Sequence, residues 1–187
     1  MASIVRSVEQ SIVREPMSLD DFFALDIELI ELVDGQPVLL SAGTGPHQTA
    51  VARLMLRLAP VLPEGYQVLP SPIDWVLWAG PRATVRQPDI AVVKVEQARA
   101  VRLTEPPLLV VEVLSPSSVE RDLVAKRRQY AQAGCQHYWI VSPFVPELVA
   151  LRADGNEYVE VRRLVAGTVG RIDEPVALSL DPADLLP

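Results

Sequence analysis

Residues 107–114 read PLLVVEVL, a nearly continuous run of leucine and β-branched residues that contains a single carboxylate, Glu112. Such a run predicts a strand that is buried on both faces of a sheet. Residues 87–93, QPDIAVV, predict another apolar strand, which Asp89 opens. At 187 residues the chain is long enough for one sizeable core and too short for two. We therefore expect a single α/β domain.

Two helices are predicted before these strands. Ser18 can cap a short one over residues 17–25, and a longer one with an apolar stripe is predicted over residues 44–59. Residues 1–16 show neither periodicity nor turn signals and predict a flexible N-terminal arm. The domain is therefore expected to span residues 17–187.

A third helix is predicted after the Glu112 strand. Ser117 and Glu120 have the spacing of a capping box, and Gly134 is well placed to end the helix in a left-handed turn. The other predicted elements are hairpins about Asp34-Gly35 and Asp154-Gly155, strands over residues 66–69, 73–78 and 137–143, and a proline-punctuated C-terminal tail. We expect the strand at 73–78 to pair with residues 87–93.

Charge and composition limit the classes of function. The formal net charge is −7 and the sequence pI is near 4.9, which argues against tight, non-specific nucleic-acid binding through bulk charge. Carboxylates gathered around a metal site would supply part of that charge. The lone cysteine, Cys135, cannot form an internal disulfide, and neither a secretory signal nor a membrane-spanning run is found. We expect a cytoplasmic protein that does not enter a membrane.

Asp89 and Glu112 are the candidate metal ligands. An ionised carboxylate on an apolar strand is unfavourable unless it reaches a cation, a strand end or hydrogen-bond donors. Two such carboxylates on adjacent strands, completed by waters and a substrate phosphate, suit Mg²⁺, with Mn²⁺ as the expected substitute. Such an ion would acidify water for attack on a phosphodiester. Asp89 could instead cap a turn after Pro88.

Lysine usage adds two candidates. Lys94 and Lys126 are lysines, whereas the other basic residues of the chain are arginines. The pKa of a lysine shifts readily on burial, so a lysine in such a chain is a candidate for chemistry, although chance composition also explains it. Lys126 lies on the predicted third helix. It could provide the positive charge near the reacting phosphate, or it could be exposed and form an ion pair with Asp122.

Several ordered motifs resemble the Uma-type restriction endonuclease family, formerly a domain of unknown function, within the PD-(D/E)XK nuclease superfamily. They are ELVDG at 31–35, QPDIAVV at 87–93, LLVVEVLSPSS at 108–118, RDLVAKRRQYAQAG at 121–134 and HYWIVSP at 137–143. The resemblance runs from about Met17 to Leu186. It implies a restriction-endonuclease-like mixed central β-sheet flanked by helices. The implied activity is Mg²⁺-dependent endonucleolytic hydrolysis of phosphodiester bonds in nucleic acid, with DNA as the expected substrate.

The resemblance also implies roles for individual residues. Asp89 matches the aspartate of the Pro-Asp pair and Glu112 the second acidic ligand. Leu114 stands where the superfamily usually has its catalytic lysine, so Lys126 is expected to take over from the following helix. Ser142 stands where many relatives have an aspartate, which puts an accessory contact in doubt.

Glu31 and His47 match further catalytic positions of the family. Glu31 could touch metal or water, but it could equally be solvated on its hairpin. His47, in the first turn of a helix, could bind phosphate or assist proton transfer, and a local hydrogen bond is the alternative.

Other functions fit the same pattern. One is a non-catalytic binding or regulatory module on this fold, and another is a hydrolase of a smaller phosphodiester. Trp75, Trp78 and Tyr66 could stack on bases, although their strand contexts favour packing. A homodimer is expected by analogy, because cutting both strands of a duplex often requires two sites.

Overall fold

The computed structural model describes residues 15–115 and 121–187, without the side chains of residues 121–123. The predicted capping box at Ser117 and Glu120 lies outside the described residues, as do residues 1–14 of the predicted arm. At the end of that arm, the Met17 amide donates to the Gly35 carbonyl at 2.8 Å.

The α-helices and strands of the described chain occur in the following order. They are α1 (Leu19–Phe23), β1 (Ile30–Val33), β2 (Gln36–Leu39), α2 (Gly45–Leu58), β3 (Tyr66–Pro70), β4 (Trp75–Trp78), β5 (Thr84–Arg86), β6 (Ile90–Lys94), β7 (Leu109–Val113), α3 (Arg121–Gln132), β8 (His137–Ser142), β9 (Glu147–Asp154), β10 (Glu157–Val165), β11 (Gly170–Ile172) and β12 (Leu178–Leu180). Among the described residues, no helix is long and apolar enough to cross a membrane.

A six-stranded mixed sheet forms the centre of the protein, in the order β10-β9-β8-β7-β6-β3. Strands β7 and β8 are parallel, and the other neighbouring pairs are antiparallel. A parallel pair needs a long crossover connection, which α3 provides between β7 and β8. The predicted mixed central sheet flanked by helices is confirmed.

Alternation along β7 decides which face each of its side chains takes. Leu109, Val111 and Val113 belong to the core covered by α2, whereas Val110 belongs to the core covered by α3. Glu112 follows Val110 by two residues and therefore shares its face. Strand β7 thus places the Glu112 carboxylate on the side of the sheet where α3 lies.

A smaller sheet, in the order β2-β1-β5-β4, packs beside the first. The predicted pairing of residues 73–78 with residues 87–93 is wrong, because β4 forms a local hairpin with β5 and β3 pairs with β6. The turn that contains Gly80 brings β5 back onto β4, with Trp75 opposite Arg86.

The predicted Ser18 cap and the predicted glycine turns are confirmed. The Ser18 hydroxyl accepts a hydrogen bond from the Asp21 amide at the start of α1. Gly35, in the first hairpin, and Gly134, after α3, have φ values of 79° and 87°, which favour glycine. The C-terminal tail is more ordered than predicted, since β11 and β12 pair and residues such as Leu180 are buried.

Candidate active site

Strands β6 and β7 bring the two predicted metal ligands together. Their antiparallel register pairs Ile90 with Val111, and Asp89 and Glu112 are the chain neighbours of this pair. Both side chains line one cleft of about 610 Å³. The structure thus brings the two carboxylates together, while their role as metal ligands stays a prediction.

Glu112 is buried and receives three hydrogen bonds from α3. Lys126 Nζ donates to its Oε1 and Oε2 at 3.1 and 3.0 Å, and the Tyr130 hydroxyl donates to Oε1 at 2.7 Å. Burial raises the pKa of Glu112 to about 7, helped by the charges of Asp89 and Glu31 and opposed by that of Lys126. Near neutral pH the Glu112 carboxyl group can therefore either take up a proton or be stabilised in its ionised form by a cation.

Lys126 reaches into the cleft instead of into solvent. Its side chain is 13% exposed, and its Nζ lies 3.5 Å from Glu31 Oε1 in addition to its bonds with Glu112. Burial alone would lower the pKa of Lys126, but the two carboxylates outweigh burial and raise it. The ammonium therefore stays charged. Lys94, by contrast, is exposed at the end of β6 and does not line the cleft, so the structure gives it no part in this site.

Asp89 is held by β7 and by α2. Its Oδ2 accepts a hydrogen bond from the Val113 amide at 2.7 Å and lies 3.2 Å from His47 Nε2. Asp89 therefore does not cap a local turn. The hydrogen bond to Asp89 raises the pKa of His47, so the histidine contacts a candidate ligand instead of making only local bonds.

Glu31 is buried, which excludes the solvated alternative. Its Oε2 accepts from Arg86 Nη1 at 2.7 Å, and its Oε1 accepts from the Gln87 amide at 3.0 Å. Burial raises the pKa of Glu31, but Lys126 and Arg86 outweigh burial and lower it. Both oxygens of Glu31 therefore already have partners on β5 and in the segment that follows it.

Arg86 and Gln129 are site residues that the sequence reasoning missed. Arg86 is buried on β5, and its Nε and Nη2 donate to Gln129 Oε1 on α3 at 2.9 and 2.6 Å. The available signal was an arginine immediately before the QPD motif. It was hidden because β5 is only three residues long and was not predicted.

The aromatic residues that could have stacked on bases have structural partners. Trp75 is 1% exposed and stacks on Tyr130, with ring centroids 5.3 Å apart. Trp78 Nε1 donates to the Arg82 carbonyl at 3.0 Å, and Tyr66 packs against the main core. The packing interpretation is therefore the better one for all three.

The donor set fits a magnesium ion bound by two protein carboxylates. Among the described residues, no group of three His, Cys, Asp or Glu side chains is arranged to hold a metal. Mg²⁺ often binds through one or two carboxylates and keeps several waters. Among the described residues, none donates a hydrogen bond to Asp89 Oδ1.

The charge balance of the site also favours a bound cation. The carboxylates of Glu31, Asp89 and Glu112 face the two permanent cations Arg86 and Lys126. One formal negative charge is left over when Glu112 is ionised and His47 is neutral. A bound cation would compensate it.

The stability of the metal-free protein is expected to fall between about pH 4.5, the unperturbed pKa of a glutamate, and about pH 8, just above the raised pKa of Glu112. With a pKa of about 7, folded Glu112 keeps a proton that the unfolded chain has lost, so the free energy of unfolding decreases as pH rises through this range. The loss is at most about 3 kcal/mol. His47 acts in the same direction, because the stability from its raised pKa is lost as pH rises through that pKa.

Urea unfolding in EDTA across this pH range measures the effect. Glu112→Gln is the control, because it removes the main titrating group and should flatten the profile. A free energy of unfolding that rises with pH in the unmutated protein would contradict the placement of Glu112.

Comparisons with known proteins agree with this architecture. The model of a family described as "Uma2: Putative restriction endonuclease" matches residues 19–183. The fold is similar to a crystal structure described as a "putative nuclease belonging to DUF820" from Anabaena variabilis ATCC 29413, with a TM-score of 0.72 and 18% sequence identity. That match covers 91% of this chain and 97% of the other. No curated protein matches the sequence.

Proposed function

The chain belongs to the Uma2 family, and on that premise we propose that it is a Mg²⁺-dependent endonuclease that hydrolyses phosphodiester bonds of DNA. One observation carries the proposal. A buried lysine, Lys126, is held between Glu112 and Glu31 in the cleft that Asp89 also lines. The cluster lies at a cleft, and it carries one excess negative charge when Glu112 is ionised and His47 is neutral.

Each side chain has a distinct part in the proposed reaction. Asp89 and Glu112 would hold the metal, which when bound would acidify the attacking water and stabilise charge on the phosphate. Lys126 would stabilise negative charge on the same phosphate from α3. Tyr130 and His47 orient Glu112 and Asp89 through the hydrogen bonds already described.

The direct test is nicking of supercoiled plasmid DNA with Mg²⁺, with Mn²⁺ and with EDTA. Cleavage that requires a divalent ion supports the proposal, and a parallel assay on a small model diester separates a nuclease from a general phosphodiesterase. Metal binding without cleavage of any nucleic acid would favour the non-catalytic module. The homodimer and the cytoplasmic location stay predictions from the sequence.

Cleavage is expected to depend only weakly on salt. Arg86 and Lys126 are the cations that line the cleft among the described residues, and both are paired with carboxylates. Each phosphate that a protein neutralises contributes about −0.9 to the slope of log affinity against log salt. One or two phosphate contacts therefore predict a slope of about −1 to −2 for kcat/KM.

The measurement is kcat/KM on a fixed DNA duplex at several salt concentrations. Leu39→Lys is the matched variant, because Leu39 lines the cleft and is 49% exposed. A lysine there should steepen the slope by about 1. A slope steeper than about −5 in the unmutated protein would show that many more phosphates are contacted.

A further inference from the structure

Two neighbouring residues of the smaller sheet contact two consecutive residues of α3. Trp75 and Arg86 are register partners on β4 and β5. The Arg86 guanidinium donates twice to Gln129, and the Trp75 ring stacks on Tyr130. Among the described side chains, these contacts tie the smaller sheet to α3 one turn beyond Lys126.

A second connection from Arg86 reaches Lys126 itself. Arg86 Nη1 donates to Glu31 at 2.7 Å, and the other oxygen of Glu31 lies 3.5 Å from Lys126 Nζ. Arg86 is thus connected to α3 through the Gln129 side chain and to the Lys126 ammonium through Glu31. Among the described residues, the side-chain hydrogen-bond partners of Arg86 are Glu31 and Gln129, and not the candidate metal ligands Asp89 and Glu112.

We propose that Arg86 is a positioning residue that, with Gln129, forms a brace which holds Lys126 at the reacting phosphate. The proposal rests on the function proposed above. A guanidinium presents several donors in a rigid plane, so it can hold Glu31 and Gln129 at the same time in a fixed geometry. Positioning of this kind matters because partners behind the directly acting groups commonly change activity by about 10–100-fold.

The competing explanation is that Arg86 only neutralises the buried charge of Glu31. Arg86→Lys separates the two explanations, since lysine keeps a positive charge but cannot reproduce the planar fork. Gln129→Met is the complementary variant, because it removes the acceptor on α3 and leaves the Arg86–Glu31 pair in place. Charge neutralisation alone predicts that both variants keep the normal rate.

The experiment measures single-turnover cleavage and KM for Arg86→Lys, Gln129→Met and the double variant. The brace predicts that each single change slows the chemical step about tenfold while KM stays within about twofold. The double variant should be no slower than the slower single one, because both changes break the same contact. Arg152→Lys is the matched control, since Arg152 pairs with Glu174 on the surface at 3.2 Å.

Hydrogen exchange of the α3 amides in the metal-free protein gives a second readout that does not need activity. Arg86→Lys and Gln129→Met should both speed exchange in α3, and Arg152→Lys should not. Full cleavage rates in both site variants, or unchanged exchange in both, would overturn the brace. If the unmutated protein cleaves no nucleic acid, the proposed function fails, and the exchange result still decides whether the brace exists.

Discussion

Glu112→Gln is expected to lower metal-dependent cleavage by at least about 10²–10³-fold, the range typical for loss of one preorganised electrostatic group. A neutral amide is a poor ligand for Mg²⁺, so the ion would lose one of its two protein carboxylates. The water that the ion acidifies would lose its activation together with the ion. The loss should therefore appear in the rate of the chemical step.

The fold of Glu112→Gln should survive. Glutamine keeps the shape, its carbonyl oxygen can still accept from Tyr130 and Lys126, and the cost of an ionised buried carboxylate disappears. Without metal, the melting temperature at about pH 8 should be unchanged or higher. The increase that Mn²⁺ produces in the unmutated protein should be lost, because that increase reports binding to the folded state.

Thermal unfolding with and without Mn²⁺, beside a nicking assay, tests both parts. Glu64→Gln is the matched control, since Glu64 is exposed and lies outside the cleft. The control should nick DNA and respond to Mn²⁺ normally. Full metal-dependent cleavage by Glu112→Gln would refute the role assigned to Glu112.

The elements that the sequence predicted well are those whose signal is local. An apolar run such as residues 107–114 predicts a buried strand, and β7 is buried along its whole length. The glycines at the hairpin turns have the positive φ values that the turns require. Asp89 and Glu112 were recognisable because a carboxylate on an apolar strand needs a specific partner.

The missed features depend on contacts between distant parts of the chain. Strand β5 has three residues, too few for periodicity, so no local pattern indicated that β4 would pair with β5 and not with β6. The contact of Arg86 with Gln129 joins residues 43 positions apart. No spacing rule predicts such a pair, because it arises from the packing of α3 against the smaller sheet.

Helix α3, which carries Lys126, has one feature that the sequence predicts and one that depends on contacts between distant parts of the chain. Spacing places Lys126 and Tyr130 on one face of α3, since residues four apart are neighbours on a helix. Alternation along β7 places Glu112 on the same face as Val110, and the structure shows that α3 packs on that face. That Glu31 would bind the same ammonium from another sheet could not be read from either pattern, because it requires the two sheets to be packed together.

Lys126→Met is expected both to abolish cleavage and to destabilise the protein. Methionine fills a similar volume but leaves Glu112 and Glu31 without the ammonium they share. Removal of one partner from a buried ion pair commonly costs about 3–5 kcal/mol, because the remaining charge is buried without compensation. The destabilisation should be smaller at about pH 6, where Glu112 can take up a proton.

A second variant separates the two effects. Lys126→Met combined with Glu112→Gln removes the ammonium and one of its carboxylates together, so the double variant should recover much of the lost stability. It should not recover cleavage, because both groups act on the reacting phosphate in the proposed mechanism. If cleavage returned with stability, the role of Lys126 would be structural.

Urea unfolding at two pH values and nicking of supercoiled DNA measure these outcomes. Lys94→Met is the matched control, since Lys94 is the other lysine of the sequence and is exposed at the end of β6. It should change neither stability nor cleavage. If Lys126→Met kept the normal cleavage rate while Glu112→Gln lost it, the expected transfer of the superfamily lysine from position 114 to α3 would be wrong. The cation at the phosphate would then have to come from another residue.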